Sequence, residues 1–179
     1  MIENMAWVLP RPRKMNKYIG SFPEHFERRL LELLNIKSAH HLILHPFGGK
    51  AEYGLRVDVN PETVPDVLGN AHNLPFKNES FDCVILDPPY SSDDAMRLYG
   101  TPTPKFKVYT VEAVRVLKEG GWLVMYHDIA TPTIRGTVLK KRIFLESRMW
   151  HKLRCIHIHK KDSFAWQGNK GQAIMKLEL

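Results

Sequence analysis

Apolar residues recur at two periods along this chain, and the alternation between the two periods predicts its fold. Phe22, Phe26, Leu30, Leu33 and Leu34 are spaced three or four apart, which predicts a helix over 22–35, with Ser21 and Glu24 at capping-box spacing at its start. "HHLILHPF" then reads as a short strand ending at Gly48-Gly49, and "GLRVDVN" as a second strand with Asp58 near its C-terminal end. "DVLGNAHNLPF" gives a third strand running into a loop. "FDCVILD" is apolar on both faces, as a central strand of a parallel sheet must be. After a polar loop over 91–104, Phe106, Tyr109, Ala113, Val114 and Leu117 return at helical spacing, and Gly120-Gly121 is the expected stop. "WLVMYHD" is a fifth strand, "TIRGTVLKKRIFLESR" a helix, "KLRCIHIHK" a sixth strand and "QAIMKLEL" a seventh. This alternation predicts an α/β fold: a doubly wound, seven-stranded, mostly parallel sheet with helices on both faces.

In such sheets a ligand sits beyond the carboxyl ends of the strands. "FDCVILD" ends there on Asp87-Pro88-Pro89-Tyr90, which brings a carboxylate, two rigid prolines and an aromatic ring to the crevice. Proline fixes φ and has no N–H, so the nearby carbonyls stay available to a ligand. A loop in which Pro-Pro merely ends the strand and Asp87 caps the turn accounts for the same four residues.

Composition narrows the class. A chain of 179 residues, 44% hydrophobic, suits one compact domain over 1–179, and no stretch has the size of a separate target-recognition domain. Cys83 and Cys155 both stand in apolar runs, as reduced, buried thiols do. No run approaches the roughly 18 apolar residues of a membrane span, and the first basic residues follow a short apolar run instead of preceding a long one. The expectation is a soluble, cytoplasmic protein without a membrane partner.

The net charge of +7 is unevenly distributed. Between Ile134 and Lys161 nine Lys/Arg (Arg135, Lys140, Lys141, Arg142, Arg148, Lys152, Arg154, Lys160, Lys161) face only Glu146, and Arg11, Arg13, Lys14 and Lys17 form a second group. Residues 45–94 instead carry nine acids against three bases. A basic rim around an acidic pocket suits a polyanion, although a solvated helix face with a basic tail has the same composition. Cys155, His157 and His159 alternate along one strand and so share a face, as metal ligands or as the half-polar face of an edge strand. "KKDSFAWQGNKG" mixes bases with Phe164 and Trp166, in the manner of a base-stacking loop or a hairpin plug.

Asp87-Pro88-Pro89-Tyr90 resembles the D-P-P-Y signature of S-adenosylmethionine-dependent methyltransferases that act on exocyclic amino groups, above all the DNA adenine-N6 and cytosine-N4 enzymes. The likeness runs over most of the chain in the family's order. "KYIGSFPEHFERRLLELL" is similar to the segment before the first strand, "LHPFGG" to the glycine loop D-P-F-x-G-x-G, "GNAHNLPFKNESFDCVILDPP" to the adenine-side stretch, and "EAVRVLKEGGWLVM" to the helix, turn and fifth strand. Two positions depart from the pattern: His45 stands where the loop acid is usual, and Lys50 follows Gly48-Gly49 in place of a small residue and a glycine.

The resemblance implies a class I, Rossmann-like methyltransferase domain that uses S-adenosyl-L-methionine and needs no metal. It implies that Asp87, Pro88, Pro89 and Tyr90 are catalytic, with Asp87 and the Pro88 carbonyl accepting from the target amine and Tyr90 stacking on an extruded base. Cofactor contacts would come from Ser21, Phe22, His45, Pro46, Phe47, Gly48, Gly49, Asp58, Val59, Asn70, Ala71 and Asp87, with Asp58 on the ribose hydroxyls. The implied partner is nucleic acid, DNA before RNA, and the implied reaction is methylation of adenine N6. An RNA base-amine methyltransferase and a catalytically silent nucleic-acid-binding relative are the alternatives.

Overall fold

The computed structural model describes residues 1–10, 21–128, 130–147 and 153–164, with the side chains of Asp94, Leu98 and Tyr99 outside that description. In chain order the elements are β1 (Glu3–Val8), α1 (Phe26–Leu33), β2 (Ile43–His45), β3 (Leu55–Asp58), a 3₁₀ turn (Pro61–Thr63), β4 (Val67–Leu68), β5 (Phe81–Leu86), α2 (Ser92–Tyr99), α3 (Phe106–Val116), β6 (Leu117–His127), β7 (Thr137–Glu146) and β8 (Arg154–Lys161). They form one sheet in the order β1-β7-β8-β6-β5-β2-β3-β4. Every neighbouring pair is parallel except those of β8, which runs antiparallel to β6 and to β7.

The order reverses between β2 and β5, so β2 leads outward to β3 and β4 while the chain returns through β5 to β6. That reversal opens the crevice in which doubly wound sheets bind ligands. Each face of the sheet carries its own core. On one, α1 lays Phe26, Leu30 and Leu31 over Ile43, Ile85, Val124 and Ile156, with Trp7 and Tyr126 packed on the Phe26 ring. On the other, Tyr109, Ala113 and Val116 of α3 cover Leu44, Val84, Leu86, Leu123 and Met125. The expected mostly parallel sheet with helices on both faces is therefore present. No helix among the described residues is long and apolar enough to cross a membrane.

Several elements differ from the sequence expectation, each for a physical reason. The described sheet has eight strands: six of the seven expected, together with β7, read from the sequence as a helix, and β1, which "ENMAWV" forms on the outer edge of β7. Its only strong local mark is the buried Trp7, and its stability comes from pairing with residues more than a hundred positions away. "TIRGTVLKKRIFLESR" is no helix: most of it is β7. A bulge between Leu139 and Lys141 hides its strand period. Thr137 before the bulge and Ile143 and Leu145 after it are all odd-numbered, yet they point to opposite faces, since one extra residue inverts the alternation.

Helix α1 starts at Phe26 with His25 at its N-cap in a left-handed conformation (φ 65°) and no side-chain cap, so the Ser21/Glu24 capping box is not used. Helix α3 stops at Val116, and Gly120-Gly121 lie inside β6. The seventh strand expected at "QAIMKLEL" lies outside the described residues.

Candidate functional site

A cavity of about 360 Å³ opens beyond the carboxyl ends of β2, β3 and β5. Its floor is the loop that follows β2. There Gly48 donates its N–H to Val57 O (2.8 Å), folding the loop flat onto β3. A side chain at that position would not fit, because an added Cβ would lie 2.6 Å from Arg56 Cβ. The next N–H, of Gly49, donates to Asp58 Oδ2 (2.9 Å), and Asn60 N–H donates to Asp58 Oδ1 (2.9 Å). The buried Asp58 thus ties the glycine loop to the end of β3 while standing in the cavity wall.

A second acid, Glu27 of α1, holds the other end of the same loop by accepting from Glu52 N–H (2.9 Å) and Tyr53 N–H (3.5 Å). Burial pushes the Glu27 carboxyl up to about 7 against the pull of those two donors. His45 Nε2 lies 3.5 Å from Glu27 Oε1, and its burial lowers the imidazole to about 4. His45 is therefore neutral near pH 7 and packs beneath the loop beside Phe22. The loop thus receives its carboxylate from the neighbouring helix, where the methyltransferase pattern has one at the position of His45. Lys50 faces the cavity with its ammonium on Thr63 O (2.9 Å), so this departure leaves the loop intact.

Of the residues expected to bind a cofactor, the structure brings Ser21, Phe22, Pro46, Phe47, Gly48, Gly49, Asp58, Val59, Asn70, Ala71 and Asp87 together around the cavity. His45 is the exception, being buried below the wall. Among the expected catalytic residues Asp87 and Pro89 line the cavity, while Pro88 is buried and Tyr90 turns toward the α1 side of the sheet. The lining also includes a segment that sequence reasoning missed, Thr101–Lys105, whose Lys105 N–H donates to His72 Nε2 (2.9 Å). Its only local signal was the Thr-Pro-Thr-Pro repeat within a polar loop, which predicts an irregular backbone and not a place in a wall.

Asp87 sits at the end of β5. Tyr90 Oη donates to its Oδ1 at 2.7 Å. The Tyr90 ring lies 5.0 Å from the His127 ring, and the Arg154 guanidinium lies 4.9 Å from its centre. Desolvation raises the Asp87 carboxyl to about 7, opposed by the Tyr90 hydrogen bond and by the charge of Arg154. Burial, followed by the negative charge of Asp87, drives the Tyr90 hydroxyl well above its usual range, so Tyr90 remains a donor.

Two further expectations change in the folded chain. The first half of the basic stretch was expected on a helix and the second on a strand, whereas the described residues of both halves lie mainly on strands, β7 and β8. The register pairs Lys161 with Thr137 and Lys160 with Trp122, which puts these bases, with Lys140 and Lys141, toward the amino ends of the parallel strands and away from the cavity. Several are already engaged: Lys161 with Leu117 O, Lys141 with Glu3, and Lys160 over the Trp122 ring. Among the described bases of β7 and β8, Arg154 stands at the cavity end. Arg148, Lys152 and the group Arg11, Arg13, Lys14 and Lys17 lie outside the described residues, as does the "KKDSFAWQGNKG" loop from position 165 onward.

Strand β8, moreover, is internal and not an edge, and its polar face is hydrogen-bonded inward. Cys155 Sγ meets His157 Nε2 (3.2 Å), His157 Nδ1 meets Thr131 Oγ1 (2.7 Å), and His159 Nδ1 meets Thr137 Oγ1 (3.0 Å). Among the described residues no cluster of three His, Cys, Asp or Glu could hold a metal ion.

No family model matches the sequence. Over 63 residues the chain is 41% identical to phthiotriol/phenolphthiotriol dimycocerosates methyltransferase 1 of Mycobacterium ulcerans (strain Agy99), and over a stretch of the same length it is 44% identical to the corresponding enzyme of Mycobacterium leprae (strain TN). The matched stretch is 35% of this chain and 19% of each relative, so the chain spans about a fifth of the curated relatives it matches.

Among solved structures, Burkholderia thailandensis 1,6-didemethyltoxoflavin-N1-methyltransferase, determined with S-adenosylhomocysteine bound, superposes with a TM-score of 0.54 at 11% identity over 76% of either chain. The Escherichia coli yhhF protein superposes with a TM-score of 0.51 at 13% identity over 87% of this chain and 92% of its own. The fold is that of class I S-adenosylmethionine-dependent methyltransferases, an α/β Rossmann-like architecture.

Proposed function

We propose that this protein transfers a methyl group from S-adenosyl-L-methionine to an exocyclic amine of a nucleic-acid base, with adenine N6 in DNA the favoured acceptor and an RNA base amine the alternative. The observation that carries this reading is the convergence of Asp87, from the D-P-P-Y segment, and Asp58, from the next strand pair, on one cavity floored by the glycine loop. The residues present fit the cofactor's chemistry. Ser21 Oγ is buried on the cavity side without a hydrogen-bond partner, Asp58 offers carboxylate lone pairs to hydroxyl donors, and Phe47, Val59 and Ala71 give an apolar wall for a flat ring. Bound there, the cofactor supplies an electrophilic methyl group carried on a sulfonium.

The chain's own part is to position and polarise the acceptor. A base amine is a poor nucleophile while its lone pair is delocalised into the ring. Hydrogen bonds donated by the amine to Asp87 favour a pyramidal nitrogen with its lone pair freed, which is catalysis by orientation and electrostatics. The Thr101–Lys105 segment lines the same cavity as Asp87, and water displaced there by a bound acceptor would strengthen this contact. The well-formed glycine loop supports the catalytic reading over a silent binding relative. Lys105, exposed at the cavity wall, is a described base placed to meet a phosphate beside an extruded nucleotide.

Two experiments test the proposal. Calorimetry should show cofactor binding by the free protein. Incubation with methyl-labelled cofactor should then label DNA, or RNA, and not protein. Label confined to small heterocycles would overturn the nucleic-acid assignment.

A pH dependence follows from Asp87. Its carboxylate must be ionised to accept from the amine, so transfer should rise with pH along a limb at or below about 7. The sulfonium charge draws the loaded enzyme's limb downward. Because the folded pKa lies above the unfolded value, ionised Asp87 costs stability, a cost absent near pH 4 and complete above about 7. Asp87→Asn should therefore abolish the pH limb. It should also raise stability at pH 7.5 by about 1 to 2 kcal/mol, with no gain at pH 4, as read by urea denaturation at the two pH values. An unchanged limb, or equal stability differences at both pH values, would show that Asp87 does not titrate in this way.

A further inference from the structure

The geometry points to the Tyr90 hydroxyl as a positioning group for Asp87: it holds carboxylate Oδ1 and leaves Oδ2 as the acceptor for the incoming amine, a role separate from any stacking by the Tyr90 ring. This use of the contact rests on the reaction proposed above, whereas the contact itself does not.

Three observations carry the inference. The hydroxyl donates to Asp87 Oδ1 at 2.7 Å, a short, charge-assisted bond. Donor and acceptor are separated only by Pro88 and Pro89, whose fixed φ angles leave the intervening backbone little freedom, so the pair is pre-set by the covalent chain. The ring is also held from outside: the Arg154 guanidinium lies 4.9 Å from its centre and the His127 ring is tilted against it at 5.0 Å. A ring gripped in this way, outside the cavity lining, is oriented to deliver its hydroxyl inward.

The groups facing the pair come from three places. Tyr90 lies on the loop after β5, Tyr126 and His127 come from β6 with Asp128 Oδ1 2.9 Å from His127 Nδ1, and Arg154 comes from β8. Arg154 sits over the Tyr90 ring, and its charge also acts on the neighbouring Tyr126 hydroxyl. Burial raises the Asp87 carboxyl, and the Tyr90 hydrogen bond and Arg154 oppose it in that order. Removing the hydroxyl while keeping the ring removes the first of these two opposing contacts.

Tyr90→Phe makes that change. In the free protein, with carbon-13-labelled aspartate carboxyls followed by NMR, the Asp87 midpoint should move upward by roughly 1 to 2 pH units, the equivalent of one hydrogen bond to a charged group. Tyr126→Phe, which removes a neighbouring hydroxyl that makes no described hydrogen bond to Asp87, should move it much less. In turnover, Tyr90→Phe should shift the pH limb of methyl transfer upward in parallel, so that activity lost at neutral pH is recovered at higher pH while KM for the acceptor changes little.

An Asp87 midpoint unchanged in Tyr90→Phe, or moved equally by Tyr126→Phe, would overturn the assignment. If the wild-type protein transferred no methyl group to any base amine, the proposed function would fail. The NMR midpoints would still decide whether Tyr90 controls Asp87.

Discussion

Asp87→Ala should lower single-turnover methyl transfer about 10²- to 10³-fold in a protein that still folds and still loads cofactor, the scale found on deleting one electrostatic contact to a transition state. The magnitude reflects when the contact matters. A hydrogen bond from the amine to Asp87 is strongest as the nitrogen turns pyramidal and gains positive charge, so its loss falls on the transition state more than on either ground state. Cofactor affinity should change far less, because the glycine loop is held by Asp58 and Glu27 and owes nothing to Asp87. A mere loop-capping role predicts the opposite pattern, with about 1 kcal/mol of stability lost and turnover per folded molecule unchanged. The two patterns are further separated because removing a carboxylate that burial pushes up to about 7 relieves a cost at neutral pH. Rapid-quench transfer to an adenine-containing oligonucleotide, with urea denaturation of the same samples, reads both quantities.

Asp58→Ala should weaken cofactor binding about 10- to 100-fold in calorimetry, the range for losing a hydrogen bond to a charged group, with little effect on the transfer rate at saturating cofactor. Two effects add in this variant. The carboxylate lost from the cavity wall is also the one that fixes the N–H groups of Gly49 and Asn60, so the loop loosens as the ligand contact disappears. Asp58→Asn separates them, since its amide oxygen can keep one of the two backbone donors while its NH₂ faces the other. An affinity between wild type and Asp58→Ala is expected. Unchanged affinity in the alanine variant would remove Asp58 from the site.

What the sequence made legible was the chemistry carried by short segments at strand ends. Asp58 after "GLRV" and Asp87 after "FDCVIL" could be placed because a buried strand has a strong local pattern and the doubly wound topology sends its carboxyl end to the crevice. What stayed hidden depends on distant partners. Nothing near His45 shows that Glu27, a helix away in sequence, supplies the carboxylate that pins the glycine loop. The Leu139/Lys141 bulge gave a strand the look of a helix, and the described lysines of that strand and the next, Lys140, Lys141, Lys160 and Lys161, sit toward the far end of the sheet. Tyr90 was legible as an aromatic residue beside the acid. Its direction was not, since that is set by Arg154 and His127 from strands encountered much later in the chain.

The most direct test of base-amine methyl transfer through Asp87 is mass spectrometry of nucleosides recovered from DNA and RNA after incubation with methyl-labelled S-adenosylmethionine, using wild type and cofactor-loaded Asp87→Ala side by side. N6-methyladenine appearing with wild type, in DNA before RNA, and reduced by at least about 10²-fold with the variant is the predicted result. Labelled base formed equally by both proteins, or label absent from both nucleic acids while wild type binds the cofactor, would contradict it.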